Sequence, residues 1–265
     1  MSTSSFKLSK EQVDEFEAKG YVMVESLLTQ EELDILEAGR QAVQNRTGPE
    51  VAREADGSPH VVYGVHLWDD RFKALARHPK VLGPAEQLLG KQIFIHQSRC
   101  NSKATMGSIV DWHQDWGTYH RVDGVPTPEG LMIAVHLDDI TACNAPLLAV
   151  PGTNHSGLVS EASKIESDTT AEKHRFDIRP ETMQQLVKEK GLEALTGPKG
   201  SVLFMKHNVV HGSSINITPL SRTVIYVNCC AIDNQGKTFA RPEYYAARDF
   251  APLEPLDEGG LQQFA

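Results

Sequence analysis

The run Gln92-Ile-Phe-Ile-His-Gln-Ser-Arg99 decides the fold of this chain, because the sequence pattern changes where it begins. Beyond it, short apolar or alternating runs recur, and clusters of Gly, Pro, Asn and Asp separate them. Such runs are typical of antiparallel sandwiches and barrels rather than of βαβ units. The further predicted strands cover residues 131–137, 147–150, 201–205 and 223–231. We predict a mainly β protein with α-helices, built on a cupin-like double-stranded β-helix, or jelly roll.

The region before this run is predicted to be mainly helical. Ser9 with Gln12, and Thr29 with Glu32, match the capping box, in which two side chains satisfy backbone N–H groups at a helix start. Helices are expected at residues 9–20, 29–43, 70–77 and 80–89, the last ending at Gly90. The remaining segments are expected to be strands at residues 21–28 and 61–67 and a polar surface loop at residues 45–59.

We predict a single domain over residues 1–265. Its parts are a helical layer over about residues 1–90, a jelly-roll core over about 91–235 and a C-terminal tail over 236–265. Within the core, residues 181–193 are expected to form a helix. The polar residues 156–180 are expected to form a long mobile loop over the barrel mouth.

Composition excludes several classes of protein. The 265 residues are 40% hydrophobic, which is enough for one large core. A formal net charge of -9, without any concentration of Lys and Arg, argues against nucleic-acid binding. The 4 cysteines lack Cys-x-x-Cys spacing and so indicate neither a zinc ribbon nor a disulfide framework. No apolar run has the length of a membrane span or signal region, so we expect a cytoplasmic protein without a membrane partner.

The candidate reactive centre is the stretch Val110-Asp-Trp-His-Gln-Asp-Trp-Gly-Thr-Tyr-His120. His113 and Asp115 are two residues apart, and on an extended strand such residues point to the same face. A non-haem Fe(II) oxygenase uses one carboxylate and two imidazoles and leaves the other metal positions open. A His-x-Asp pair alone is a weak signal, since most such pairs are solvated or hydrogen bonded to each other. The prediction therefore depends on a second histidine.

His211 is the second histidine that we favour over His207, because it leaves the shorter reach to Arg222. A run of turn-forming residues lies between His211 and Arg222, and a hairpin there would bring the arginine back beside the metal. A buried guanidinium in that place can pair bidentately with the distal carboxylate of 2-oxoglutarate. The hydroxyls of Ser213 and Thr223 are candidates for a further hydrogen bond to that carboxylate. The combination is far more specific than any of its parts.

Several stretches also match a known family. They are His96-Gln-Ser-Arg-Cys-Asn-Ser-Lys103, Trp112-His-Gln-Asp115, Asp123-Gly124, Asn144-Ala-Pro-Leu-Leu-Ala-Val-Pro-Gly-Thr153, His211-Gly-Ser-Ser-Ile-Asn-Ile-Thr-Pro219 and Arg241-Pro-Glu-Tyr-Tyr-Ala-Ala-Arg-Asp249. In these stretches the chain resembles the phytanoyl-CoA dioxygenase superfamily of Fe(II)- and 2-oxoglutarate-dependent oxygenases. The resemblance is to the branch that holds ectoine hydroxylase and L-proline trans-4-hydroxylase, and it spans nearly the whole chain.

The resemblance implies roles for individual residues. His113, Asp115 and His211 would bind iron, and Arg222 and Asn101 would contact 2-oxoglutarate. The residues assigned to substrate are Gln97, Arg99, Trp116, Tyr119, Met205 and Val224. For Trp112 and Trp116, a place in the core is an equally weighted alternative to a place in the pocket.

Three pocket positions depart from the ectoine hydroxylases. Tyr119 stands where those enzymes have Trp, Val224 where they have Asn, and Met205 where they have a Phe that lines the ectoine pocket. The pocket is therefore built from different side chains, and Val224 offers no hydrogen bond to a polar ligand. Ectoine itself is not the substrate that we expect.

The sequence predicts a dioxygenase that uses Fe(II), 2-oxoglutarate and O₂ to hydroxylate an unactivated C–H bond, releasing succinate and CO₂. The preferred substrate is an amino acid, an imino acid or a similar small zwitterion. The alternative is hydroxylation, desaturation or epoxidation of a larger natural-product intermediate, such as a terpenoid or a peptide-derived scaffold. A non-catalytic metal-binding jelly roll is less favoured, because none of the four key residues has been lost. A homodimer is the hypothesis for the assembly.

Overall fold

The computed structural model describes residues 6–160, 176–256 and 260–265. The strands are β1 (Tyr21–Val24), β2 (Val51–Arg53), β3 (Pro59–Tyr63), β4 (Ile93–Lys103), β5 (Val110–His113), β6 (Gly130–His136), β7 (Leu147–Val150), β8 (Glu193–Leu195), β9 (Val202–Lys206), β10 (Val210–Ser213) and β11 (Arg222–Ala231). The helices are α1 (Lys10–Lys19), α2 (Gln30–Gln44), α3 (Val65–Trp68), α4 (Asp70–Arg77), α5 (Pro79–Leu89), α6 (Asp115–Asp123) and α7 (Pro180–Lys190), with 3₁₀ turns at Thr153–His155 and Gln262–Phe264.

Two antiparallel sheets form the body of the molecule. The larger sheet has the strand order β1-β9-β6-β11-β4-β3-β2, and the smaller sheet has the order β5-β10-β7-β8. Apart from the consecutive strands β2 and β3, neighbours in each sheet are distant in the chain, as the antiparallel pairings of β11 with β4 and with β6 show. Such long-range antiparallel pairing in two sheets is the jelly-roll arrangement. The predicted fold class is confirmed.

Strand β11 shows how the larger sheet separates two cores. All of its residues are buried. Ile225 and Val227 join the core that lies between this sheet and the helices, whereas Val224 and Tyr226 join a second cluster between the two sheets. Successive strand residues point to opposite faces, so alternate positions of β11 serve different layers. Side chains that meet the smaller sheet therefore come from every second position. We call the face of the larger sheet that is directed toward the smaller sheet the inner face.

The first 90 residues are largely helical, as predicted, but they also supply three strands to the larger sheet. Strand β1 covers one edge of that sheet, and β3 followed by β2 covers the other. The prediction of a loop over residues 45–59 was wrong for β2, a partly exposed edge strand of 3 residues. The strand predicted at residues 61–67 ends at Tyr63, because Gly64 turns into the left-handed region and α3 begins.

The helix boundaries follow the signals in the sequence. Both predicted capping boxes are present with both of their hydrogen bonds, and Gly20 and Gly90 end their helices in the left-handed conformation. The helix predicted over residues 181–193 ends earlier, since Glu193 already pairs as the first residue of β8. Of the loop predicted at residues 156–180, residues 161–175 lie outside the described ranges.

The C-terminal segment runs back along β4. The backbone N–H groups of Ala247 and Leu253 donate to the carbonyl oxygens of His96 and Ile93. These bonds place residues 247–253 next to the strand that carries Gln97 and Arg99. In the part of the chain that the structure describes, no helix combines the length and the apolar character needed to cross a bilayer.

Candidate active site

Two histidines lie side by side on neighbouring strands of the smaller sheet. His113 is the last residue of β5, and His211 on β10 is its direct partner in the strand pairing. Their ring centroids are 4.3 Å apart, and both side chains are buried. The pairing of these two strands thus brings together residues that are 98 positions apart in the sequence.

Asp115 completes the group, although not from a strand as predicted. The chain leaves β5 at Gln114, and Asp115 is the first residue of α6. Gln114 is still extended (φ -123°, ψ 126°), so Asp115 and His113 keep a common face. The side chain of Gln114 donates to the carbonyl oxygens of Gly157 and Asn208, which fixes the point where strand gives way to helix. The carboxylate lies 3.5 Å from Nε2 of His113.

The free atoms of this group fit a metal ion. Nδ1 of His113 lies 2.7 Å from the carbonyl oxygen of Asp111, and Nδ1 of His211 lies 3.0 Å from that of Val209. Each carbonyl fixes its ring with the proton on Nδ1, which leaves Nε2 as a ligand atom. Candidate ligand atoms of His113, Asp115 and His211 all lie within 4.8 Å of one another. Oδ2 of Asp115 is buried without a hydrogen-bond partner among the described residues.

The charges of these groups are those that metal binding needs. Burial opposes the charge of Asp115, but the positive charge of Arg99 and then the neighbouring His113 hold the pKa of its carboxyl well below the usual value. Burial, with His113 as the next cause, lowers the pKa of His211 to about 3. An ionised carboxylate beside neutral imidazole is the protonation state that binds a metal without first losing a proton.

His207, the competitor for the second histidine, has a different place. Its ring packs edge-on against Tyr119, 5.1 Å between centroids, and it is not a member of the ligand group. Its pKa falls to about 4, mainly because it is buried. The structure therefore favours His211.

Two buried cations lie side by side on the inner face of the larger sheet. Arg222 and Lys103 are direct partners in the pairing of β11 with β4. Nζ of Lys103 donates to Oγ of Ser213 (2.8 Å) and to the carbonyl oxygen of Ser214 (2.7 Å). The predicted Ser213 thus lies beside the predicted Arg222, whereas Lys103 was missed. Like charges buried next to each other are costly, so this corner fits an anionic ligand.

Asn101 shares this face, but Thr223 does not. Asn101 pairs with Val224, and its Oδ1 is buried without a partner in the described ranges. The hydroxyl of Thr223 lies 3.3 Å from that of Ser102, on the opposite face of the sheet. Thr223 follows Arg222 directly in a strand, so its side chain must point the other way. The structure contradicts the prediction that it contacts the cosubstrate.

The predicted substrate residues of β4 form a hydrogen-bonded group with α6. Nη1 of Arg99 donates to Oε1 of Gln97 (2.8 Å), and the hydroxyl of Tyr119 approaches the same oxygen at 3.4 Å. Nε2 of Gln97 donates to the carbonyl oxygen of Tyr245 in the C-terminal segment (2.7 Å). The arginine and the amide are therefore held from two sides, and they lie near the carboxylate of Asp115, which interacts with Arg99.

The remaining predicted pocket residues divide between two places. Met205 and Val224 belong to the cluster between the sheets, where they form apolar wall. Trp116 is half-buried and packs against the cluster of Phe94 and Tyr119. Trp112 packs outside the smaller sheet with the cluster of Val150, Ile178, Met183, Leu186 and Val210, so it belongs to the core.

Two imidazoles and one carboxylate that point into a jelly roll are the ligand set of the non-haem iron oxygenases. Comparison with known proteins leads to the same class. Residues 16–224 match the phytanoyl-CoA dioxygenase (PhyH) family. The chain belongs to this family, and it is a dioxygenase.

Two kinds of curated relative are similar over most of the chain. L-proline trans-4-hydroxylase from Streptomyces griseoviridis is 30% identical, over 83% of this chain and 86% of that protein. Ectoine dioxygenase from Bordetella parapertussis is 31% identical, over 94% of this chain and 86% of that protein. The predicted family branch is confirmed.

A solved structure agrees in fold over nearly the same extent. The crystal structure of EctD from S. alaskensis with 2-oxoglutarate and 5-hydroxyectoine superimposes with a TM-score of 0.83 at 25% identity. The superposition covers 94% of this chain and 88% of the EctD chain. The epimerase SnoN from nogalamycin biosynthesis, at 19% identity and a TM-score of 0.67, shares the fold alone.

Proposed function

We propose that this dioxygenase hydroxylates a C–H bond of a small zwitterion, an amino acid, an imino acid or a close derivative. It uses Fe(II), 2-oxoglutarate and O₂, and it releases succinate and CO₂. One observation carries the proposal: two separate guanidinium groups, Arg222 and Arg99, face the space that also contains the three-ligand group. One can take the distal carboxylate of the cosubstrate, and the other can take the carboxylate of the substrate.

The metal would be held by His113, Asp115 and His211. Backbone carbonyls fix the orientation of the two histidine rings, and the start of α6 fixes the position of the Asp115 carboxylate. Little rearrangement is therefore needed when the metal binds. Three protein ligands leave room for cosubstrate and O₂ on the same ion. Fe(II) bound there supplies the redox chemistry that transfers one oxygen atom of O₂ to a C–H bond while 2-oxoglutarate is oxidatively decarboxylated.

The cosubstrate would lie with its distal carboxylate against Arg222. Lys103 and Ser213 are within reach of the same corner, and the side-chain amide of Asn101 carries N–H donors that can bind the carboxylate. The anion offsets the repulsion between the two cations that the fold buries there. The related EctD structure contains 2-oxoglutarate, which supports this assignment.

The substrate would place its carboxylate at Arg99, beside Gln97, and its carbon skeleton between Met205 and Val224. The names of the curated relatives support this class, since both proline and ectoine are small molecules that carry a carboxylate and a positively charged nitrogen group. Val224 and Met205 make the wall apolar, which favours an aliphatic or cyclic amino acid over a polar one.

The test is succinate release, measured with purified enzyme, Fe(II) and 2-oxoglutarate across free amino acids, N-modified amino acids and lipophilic metabolites. The proposal expects turnover with a free amino or imino acid. It also expects a loss of at least about 100-fold in kcat/KM when the carboxylate of that substrate is replaced by a carboxamide. Turnover confined to lipophilic metabolites, or equal rates for acid and amide, would contradict it.

Three expectations from the sequence remain predictions. We propose one functional domain over residues 1–265, a homodimer in solution and a cytoplasmic location. The cysteines support the last, because Cys100, Cys143, Cys229 and Cys230 are all free thiols. Light scattering on the purified protein will decide between monomer and dimer.

A further inference from the structure

Tyr226 connects the two arginines of the proposed site. Its hydroxyl accepts a 3.0 Å hydrogen bond from Nη2 of Arg222. Its ring lies under the guanidinium of Arg99, with 4.7 Å between Cζ and the ring centroid. Tyr226 is 3% exposed, lies four positions after Arg222 on β11 and is the direct partner of Arg99 on β4. One buried side chain therefore contacts both cations.

The orientation of Arg222 depends on this contact. Over the described ranges, the hydroxyl of Tyr226 is the side-chain hydrogen-bond partner of Arg222, and Nε of the guanidinium is buried without one. Within the same ranges, the side-chain hydrogen bonds of Arg99 go to Gln97 and Met132 and not to a carboxylate, although the charge of Asp115 acts on it. A guanidinium has five N–H donors in a fixed plane, so one well-placed acceptor is enough to set the direction of the others.

We propose that Tyr226 is a positioning residue that sets the geometry of both carboxylate sites at once. Its hydroxyl orients Arg222 toward the cosubstrate, and its ring holds Arg99 at a fixed height for the substrate. The proposal rests on the cosubstrate role of Arg222 and the substrate role of Arg99 given above. Since one side chain sets the separation of the two guanidinium groups, Tyr226 helps to determine which substrate carboxylates fit beside a bound cosubstrate.

The two halves of Tyr226 can be separated by substitution. Tyr226→Phe removes the hydroxyl and keeps an aromatic face for Arg99, because the ring quadrupole does not need the oxygen. Tyr226→Leu removes both the hydroxyl and the ring. Tyr21→Phe is the matched control, since Tyr21 is a buried tyrosine of the same inner cluster on the edge strand β1.

The experiment measures 2-oxoglutarate binding to the Fe(II)-loaded protein by anaerobic calorimetry, together with steady-state kinetics. The kinetic substrate is the amino or imino acid that is most active in the succinate screen. For Tyr226→Phe we expect a roughly 10-fold higher Kd for 2-oxoglutarate, with substrate KM within about twofold of wild type and kcat retained at saturating cosubstrate. For Tyr226→Leu we expect both the Kd and the substrate KM to rise about 10-fold or more. Tyr21→Phe should match wild type.

Two results would overturn the inference. Wild-type 2-oxoglutarate affinity in Tyr226→Phe shows that the hydroxyl does not position Arg222. An unchanged substrate KM in Tyr226→Leu shows that the ring does not position Arg99. If the Leu variant fails to fold in a thermal melt, the Phe variant still decides the first point. Failure of the proposed function is distinguishable, because wild type would then turn over no amino or imino acid in the succinate screen, while 2-oxoglutarate binding by Tyr226→Phe would still test the hydroxyl.

Discussion

Replacing Asp123 by Asn should destabilise the fold strongly, because two side chains and two backbone groups converge on this residue. Its carboxylate accepts hydrogen bonds from Nε (2.8 Å) and Nη2 (2.5 Å) of Arg241 and lies 3.0 Å from Nε2 of His96. Its carbonyl oxygen accepts from the N–H groups of Lys237 and Thr238. Asp123 is 1% exposed and Arg241 is 5% exposed, so water cannot solvate the charge that the substitution leaves on Arg241.

The size of the effect follows from this burial. Removing one partner of a buried ion pair costs about 3–5 kcal/mol, because the other charge is left uncompensated. In a chain of this size that corresponds to a fall in Tm on the order of 10 °C. The pKa of Asp123 is held below its usual value: burial opposes ionisation, but the hydrogen bonds from His96 and Arg241 outweigh it. The contribution of Asp123 is therefore present above the ordinary pKa of 3.8 for an aspartate and is lost as the pH falls through the lower folded-state pKa.

Urea unfolding at pH 7, followed by tryptophan fluorescence, measures the loss. The matched comparison is the double variant Asp123→Asn with Arg241→Met. The Met replacement removes the orphaned charge, so the double variant should lose less stability than the sum of the two single variants. A loss below about 1 kcal/mol in Asp123→Asn, or strict additivity in the double variant, would refute the reasoning.

Three further predictions follow from other parts of the structure. Glu32→Gln should lower the free energy of unfolding at pH 7 by about 2 kcal/mol after allowance for solvent screening. The reason is that, although burial opposes its charge, hydrogen bonds from His78 and the backbone of Thr29 lower the pKa of Glu32 to about 2. Its contribution is present above pH 4.5 and fades toward pH 2, so the variant's urea midpoint should change less between pH 5 and pH 3 than that of wild type. Thr223→Val should leave the Kd for 2-oxoglutarate within about twofold, since the hydroxyl faces Ser102; a 10-fold rise in calorimetry would place Thr223 at the site after all. Arg99→Lys should raise substrate KM at least about 10-fold and leave the Kd for 2-oxoglutarate nearly unchanged, because an ammonium cannot reproduce the planar fork; equal losses of both would remove Arg99 from the substrate side.

Much of the site could be predicted from the sequence because its signals are local. His113 and Asp115 are two residues apart in a short motif, and His211 follows an apolar strand. Capping boxes are equally local, and both were found where the sequence places them. Even the error over Asp115 was small, since the extended Gln114 preserves the face that a strand would have given.

The missed residues depend on strand pairing, which the sequence does not display. Lys103 meets Arg222 only because β4 and β11 pair in one particular register, and the same register puts Arg99 over Tyr226. The error over Thr223 was avoidable, because the period of two in a strand already separates it from its neighbour Arg222. Strand β2 was missed for a different reason: it has 3 residues and lies within a stretch of polar residues, glycines and prolines that has the composition of a loop.

The central claim, that His113, Asp115 and His211 form an iron site next to a cosubstrate site, is tested most directly by anaerobic visible absorbance. Fe(II) and 2-oxoglutarate are added in turn to wild type, His113→Ala and Arg222→Leu, and bound iron is assayed in each protein. A weak charge-transfer band is expected in wild type, absent from His113→Ala along with the iron. In Arg222→Leu the iron should be retained, and the band should need far more 2-oxoglutarate. Wild-type protein that retains no iron and shows no band with 2-oxoglutarate would contradict the account.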